Sequence, residues 1–254
     1  MYRVVFLIDV DDTLLDGDRF IADLNSHLAQ TLGTDAAAEY WKAFEALRME
    51  LGYADYLGAL QHYRCDNPSD QRCQATAAFI LDYPFASRLY PNAMEVIARL
   101  GDWGPTVIIS DGDAVLQPHK IQQSGLLKAV AGRVLIYIHK EQSLGEVKEQ
   151  FPARHYVMVD DKLRILTVVK QIWRDGVTTV FLRQGHYARD PQTLAACPPA
   201  DVDIAHIGDL LQYDLQSLLA AGQKTSRKNA STISSSEKIK GHPLRQKKYK
   251  ELQE

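Results

Sequence analysis

Arg3-Val4-Val5-Phe6-Leu7-Ile8-Asp9-Val10-Asp11-Asp12-Thr13-Leu14-Leu15 is the stretch on which the fold turns. Its first half is an unbroken apolar run rich in β-branched residues. It lacks the alternation of a strand with one wet face, so it fits a strand buried on both sides of a parallel sheet. Asp9, Asp11 and Asp12 interrupt it too early for a secretory h-region and cleavage site, so it reads as strand rather than leader. Ligands of open α/β sheets gather at the carboxyl ends of the strands. Three carboxylates stand at this one.

Outward from that strand the pattern changes twice. Residues 17–86 read as helix only: Phe20, Leu24 and Leu28 recur at helical spacing, and Tyr40, Phe44 and Leu47 form a second stripe. No strand pattern interrupts them, which predicts a helical bundle inserted after the first strand. Beyond Pro84 and Pro91 strands and helices alternate. Strands are predicted at Thr106–Ile109, Val134–Ile138, His155–Val159, Val177–Leu182 and Asp201–Ile207, with a last helix at Leu210–Ala220. Such alternation means βαβ units and a parallel sheet covered on both faces. The expected fold class is α/β: a Rossmann-like parallel core from residues 1–16 and 87–221, helices on both faces, and the helical insertion at 17–86.

The chain has 254 residues, 46% hydrophobic and 24% charged, which is globular usage. Cys65, Cys73 and Cys197 show no CxxC spacing, so neither a zinc ribbon nor a thioredoxin motif is supported. Their low density fits a reduced, cytoplasmic compartment. No apolar run reaches membrane-spanning length, so no membrane partner is expected. From Gly222 onward nine Lys/Arg face three acids, a charge of +6, while the rest of the chain carries −9. That segment, 222–254, is poor in apolar residues and reads as a disordered basic tail. It is taken as a solvated extension rather than a binder of nucleic acid or acidic lipid.

Four strand ends carry polar groups: Asp9, Asp11 and Asp12; Ser110, Asp111 and Gly112; His139 and Lys140; Asp160 and Asp161. Carboxylates crowded at one edge repel one another. A hard divalent cation such as Mg²⁺ relieves that repulsion and favours a phosphate as second partner. Lys140 and Ser110 supply the charge and the hydroxyl that phosphate oxygens attract. The set therefore points to Mg²⁺-dependent phosphoryl transfer.

With these residues in hand, the chain resembles the haloacid dehalogenase superfamily over residues 1–221. Asp9-Val10-Asp11-Asp12-Thr13 matches its DxDx[TV] motif, Ser110 its strand-end Ser/Thr, Lys140 its lysine, and Asp160-Asp161 its acidic pair. The resemblance implies that Asp9 attacks phosphorus and that Asp11 protonates the leaving oxygen and later deprotonates water. It implies that Thr13 braces the loop. Ser110 and the amides of Asp111 and Gly112 would hold the phosphoryl group, and Lys140 would neutralise it. Mg²⁺ would be bound by Asp9, the Asp11 carbonyl and Asp161, with Asp160 as neighbour or alternate ligand. Lys148 is a rival to Lys140, but it falls within a predicted helix. The insertion occupies the place of the family's type-one helical cap, and the interval from Ser110 to Lys140 leaves no room for a second cap. A cap that closes over the site favours a small phosphorylated metabolite as substrate.

Rival readings use the same residues. A phosphomutase retains the phosphoryl group. A halide-releasing dehalogenase needs neither metal nor an acid at position 11, so Asp11 argues against it. A non-enzymatic binding protein would have lost one of the motifs. Tyr53, Tyr56 and Arg19 are candidates for the insertion's side of a pocket, although such aromatics more often pack in a core. His186, after the strand ending near Leu182, reads as structural.

Overall fold

The computed structural model describes residues 1–223; residues 224–254 lie outside the described part, and with them nearly all of the expected tail. Six parallel strands form one sheet: β1 (Val5–Ile8), β2 (Thr106–Asp111), β3 (Val134–Tyr137), β4 (Tyr156–Asp160), β5 (Val177–Leu182) and β6 (Val202–Ile204). Their order is β3-β2-β1-β4-β5-β6, so β1 is central, in register with β2 at Phe6↔Thr106 and with β4 at Phe6↔Val157.

The apolar run of β1 is explained by its two buried faces. Phe6 and Ile8 join a cluster with Val96 and Ile97 of α5 (Ala93–Gly101), near the helices that follow β2, α6 (Leu116–Gln123) and α7 (Leu126–Ala129). Val5 and Leu7 point the other way, toward Val147 of α8 (Leu144–Gln150) and Leu166 of α9 (Leu163–Trp173). Each side chain goes to the face opposite its neighbour's, so both faces need apolar residues.

The insertion folds into four helices, α1 (Gly17–Thr31), α2 (Thr34–Leu51), α3 (Tyr56–Asp66) and α4 (Arg72–Leu81). They enclose their own apolar cluster around Leu24, Leu28, Tyr40 and Phe44. Their two connections to the core lie side by side. The Asp16 N–H donates to the Arg88 carbonyl at 2.8 Å, the Tyr90 N–H to the Leu14 carbonyl at 2.9 Å, and Leu15 bridges Leu89 antiparallel. No helix among the described residues is long and apolar enough to cross a membrane.

Several details depart from the sequence reading. The strand expected at Asp201–Ile207 is confined to Val202–Ile204, and Ile207 already begins a 3₁₀ turn. A short helix at Pro191–Ala196 was not expected, although Asp190 caps it by accepting from the Gln192 and Thr193 N–H groups. The expected helix at Leu210–Ala220 is replaced by a 3₁₀ turn (Ile207–Gln212) and a helix over residues 215–223. Asp214 resets the start by accepting from the Ser217 N–H at 2.7 Å. Gly222 therefore belongs to a helix and not to the tail; its carbonyl accepts from Lys170 Nζ at 2.9 Å.

Candidate active site

The carboxyl ends of β1, β2, β3 and β4 bring the expected residues to one edge of the sheet. Asp9 follows β1 and is buried. Lys140 stands just beyond β3 at the start of a 3₁₀ turn and is 0% exposed. Its ammonium donates to Asp9 Oδ1 at 2.5 Å and pairs with Asp160 Oδ2 at 2.7 Å. Its backbone N–H donates to Asp111 Oδ1 at 2.7 Å. Lys148, by contrast, is exposed and lies 5.2 Å from the centre of the Trp173 ring.

Asp160 and Asp161 play different parts. Asp160 Oδ1 accepts from the Lys162 N–H at 2.8 Å, and Oδ2 faces Lys140. Both oxygens of Asp161 are buried without a hydrogen-bond partner, as is Asp9 Oδ2. Buried carboxylate oxygens left unpaired cost several kcal/mol, on the order of 1–3 each at the least. Asp9, Asp160 and Asp161 each offer an oxygen within 4.8 Å of the others. An all-oxygen donor set with orphaned acceptors fits a hard cation such as Mg²⁺.

Electrostatics agree with that fit. Burial raises the Asp9 carboxyl above its ordinary range, with Asp160 adding to the effect and Lys140 opposing it. Burial likewise pushes Asp161 well above the ordinary value, although Lys162 pulls it down. A dication among these groups would reverse both directions. The Lys140 ammonium is held above its ordinary value: burial opposes its charge, but Asp160, Asp9 and Asp111 outweigh burial.

Ser110 Oγ is buried and accepts from Gln117 Nε2 at 2.8 Å. Asp111 is the last residue of β2. The Gly112 N–H donates to the Tyr137 carbonyl at 3.0 Å, so the sheet takes up the amide that the sequence reading assigned to a phosphoryl group. Thr13 is fully buried beside the Asp9–Asp12 turn. Asp11 accepts from Lys120 Nζ at 2.6 Å and from Gln117 Nε2 at 3.0 Å. Burial opposes its charge, yet Lys120 and Gln117 together hold it below the ordinary carboxylate range.

Asp12 also lines the cleft and holds the start of the insertion. Its φ of 57° is in the left-handed region, which Asp tolerates better than most residues. Its Oδ1 accepts from the Gly17 and Asp18 N–H groups at 3.0 and 3.2 Å, taking up the first two amides of α1, while Asp16 caps that helix by accepting from the Arg19 N–H. His186 hydrogen-bonds Asp18 and lies 3.6 Å from Asp12.

A cleft of about 1050 Å³ opens between the sheet edge and the insertion. Its walls include Asp11 and Lys162 from the core and Trp41, Arg48, Tyr53 and Tyr56 from the insertion. Arg19 pairs instead with Asp23. Arg48 spans the two parts, donating to the Tyr187 hydroxyl at 2.9 Å.

Gln117, Lys120 and Lys162 were missed by the sequence reading, and His186 was read as structural. Polar residues three apart on α6, the helix that leaves the Ser110 strand end, were the available signal for the first two.

Comparisons with known proteins agree with this fold. The family model for haloacid dehalogenase-like hydrolases matches residues 4–167. A haloacid dehalogenase-like hydrolase from Burkholderia xenovorans LB400 is 57% identical, over 84% of this chain and 100% of its own, with a TM-score of 0.81. Two more distant structures share the fold. The HAD-hydrolase YfnB from Bacillus subtilis, solved bound to magnesium, is 16% identical over 84% of this chain and 98% of its own, at TM-score 0.56. An L-2-haloacid dehalogenase is 15% identical over 84% of this chain and 99% of its own, at TM-score 0.58. No curated protein matches the chain.

Proposed function

The chain belongs to the haloacid dehalogenase-like hydrolase family, and from that premise we propose that it is a Mg²⁺-dependent phosphohydrolase of a small phosphorylated metabolite. The observation that carries the reading is Asp11. A second acid two residues after the nucleophile, facing the cleft, is needed for proton transfer in ester hydrolysis and not for halide departure.

In the first step an oxygen of Asp9 attacks phosphorus. The bond from phosphorus to the ester oxygen breaks, and that oxygen takes a proton from Asp11. In the second step water attacks the phosphorus of the aspartyl-phosphate and gives its proton to Asp11, and Asp9 is released as a carboxylate. At rest Asp11 is held as a carboxylate by Lys120, so it is ready for the water step; for the first step it must take up a proton before the ester oxygen leaves. Lys140 stays on Asp9 and neutralises the gathering charge. Asp161 and Asp9, with the Asp11 carbonyl and with Asp160 nearby, would hold Mg²⁺, which screens phosphate oxygens from the carboxylates. The helical insertion acts as a cap that excludes bulk water from the cleft.

The test is a screen of phosphorylated metabolites and 2-haloacids, with Mg²⁺ and with EDTA, scoring phosphate, halide and isomerised product. Phosphate release that EDTA abolishes is expected. Halide release, or turnover indifferent to EDTA, would overturn the reading, and isomerised product would turn it into a mutase. Asp161→Ala should weaken Mg²⁺ binding more than Asp160→Ala, as read by the stabilisation that Mg²⁺ confers in a thermal melt.

A further inference from the structure

Gln117 and Lys120 are three residues apart on α6 and share one face of the helix. They are 3% and 4% exposed. Burying an ammonium and an amide is costly unless their donors find acceptors. Here a single carboxylate serves both. Lys120 Nζ donates to Asp11 Oδ1 and Gln117 Nε2 to Asp11 Oδ2, so each oxygen is held by a separate donor. Asp11 cannot rotate about its Cβ–Cγ bond without breaking both contacts. Gln117 Nε2 also donates to Ser110 Oγ and ties Asp11 to the next strand end. Gly112 leaves the room for this: an added Cβ would fall 2.7 Å from Gln117 Cβ.

The same helix leans on the insertion. Leu116 packs in the insertion's apolar cluster, and a ring nitrogen of His119 meets the Leu81 carbonyl at 2.7 Å. Lys120 Nζ lies 5.9 Å from the centre of the Phe85 ring, on the chain's return to the core. One short helix thus touches the cap and the carboxyl of Asp11 together.

We propose that Gln117 and Lys120 are positioning residues that fix the orientation of Asp11 for its proton transfers. The inference rests on the reading of Asp11 as the acid and base of the reaction. Lys120 and Gln117 act through Asp11 and not on phosphorus, so their loss falls hardest where protonation of the leaving oxygen matters most.

The test uses the full chain with Mg²⁺ and a series of aryl phosphates from p-nitrophenyl, which leaves readily unprotonated, to p-methoxyphenyl, which does not. Gln117→Met removes one of the two donors to Asp11 and leaves the Lys120 charge beside it. Its kcat/KM should fall about tenfold or more on the p-methoxyphenyl ester and less than about threefold on the p-nitrophenyl ester. Lys120→Arg, which keeps the charge and the donors, should stay near the wild-type ratio between the two. An equal loss at both ends of the series for Gln117→Met, or no loss at either, overturns the proposal. Should Gln117→Met fail to fold, Gln117→Leu is put through the same series and judged by the same ratio. Asp11→Asn keeps the two failures apart. If it shows no leaving-group dependence, the reading of Asp11 has failed; if it does and the positioning variants do not, only this inference has.

Discussion

Two aspartates two positions apart are assigned opposite work, and substitution separates them. Asp9→Asn keeps size and removes the nucleophile, so a rapid-mix assay with an activated ester should show no burst. Asp11→Asn leaves the nucleophile, so Asp9 can still be phosphorylated, and the aspartyl-phosphate then stalls for want of a base. A burst followed by slow turnover is expected. Near wild-type turnover by Asp9→Asn, free of deamidation back to Asp, would falsify the covalent mechanism. A residue far from the site sets a different dependence. Burial lowers the His155 pKa below its ordinary value, with Lys170 adding to the effect. A folded state that resists the proton is favoured above pH 6.5, the ordinary value, and loses that advantage as pH falls below it. Melts at pH 7.5 and pH 5 should therefore show a larger drop for the wild type than for His155→Gln.

The connections between elements carry more of the site than their composition suggests. The turn after β5 runs through Gly185, whose φ is +70° and where an added Cβ would lie 2.4 Å from Asp12 Cβ. Only glycine allows this turn to approach the acidic loop so closely. Gly185→Ala should cost on the order of 1–3 kcal/mol in a denaturant titration. It should also loosen the start of α1, because Asp12 must shift and its Oδ1 holds the first amides of that helix. A Gly185→Ala protein with wild-type stability and turnover would mean that the loop yields freely. Arg48 and Tyr187 make the opposite kind of link, a single hydrogen bond across the mouth of the cleft.

At the scale of the whole chain, the last helix among the described residues, 215–223, is tied into the core. Leu218 is fully buried in the cluster under β1, its carbonyl accepts from Thr178 Oγ1, and Lys170 reaches the Gly222 carbonyl. A chain ending at Gln223 should melt with the full-length protein, since residues 224–254 have little apolar surface to bury. A chain ending at Tyr213 should melt several degrees lower, because it loses Leu218 from the core. Local sequence could not have found that boundary: Gly222 begins a basic, polar stretch, and its partner lies 52 residues away. The same reason governs the site. An apolar run that ends in acids marks a sheet edge in any context, so Asp9, Ser110, Lys140 and Asp160-Asp161 were legible along with the α/β alternation and the helical insertion. Sequence by itself determined which residues stand at strand ends, because burial on both faces forces the pattern that precedes them. Only the tertiary structure decided that Lys120 and Gln117 are buried and facing Asp11, because a lysine on a helix reads as solvated until a second element covers it. It also decided that Asp161 keeps both oxygens unpaired while Asp160 is taken by Lys140. Neighbouring acids are equivalent along a chain and become distinct when the sheet turns one toward a lysine.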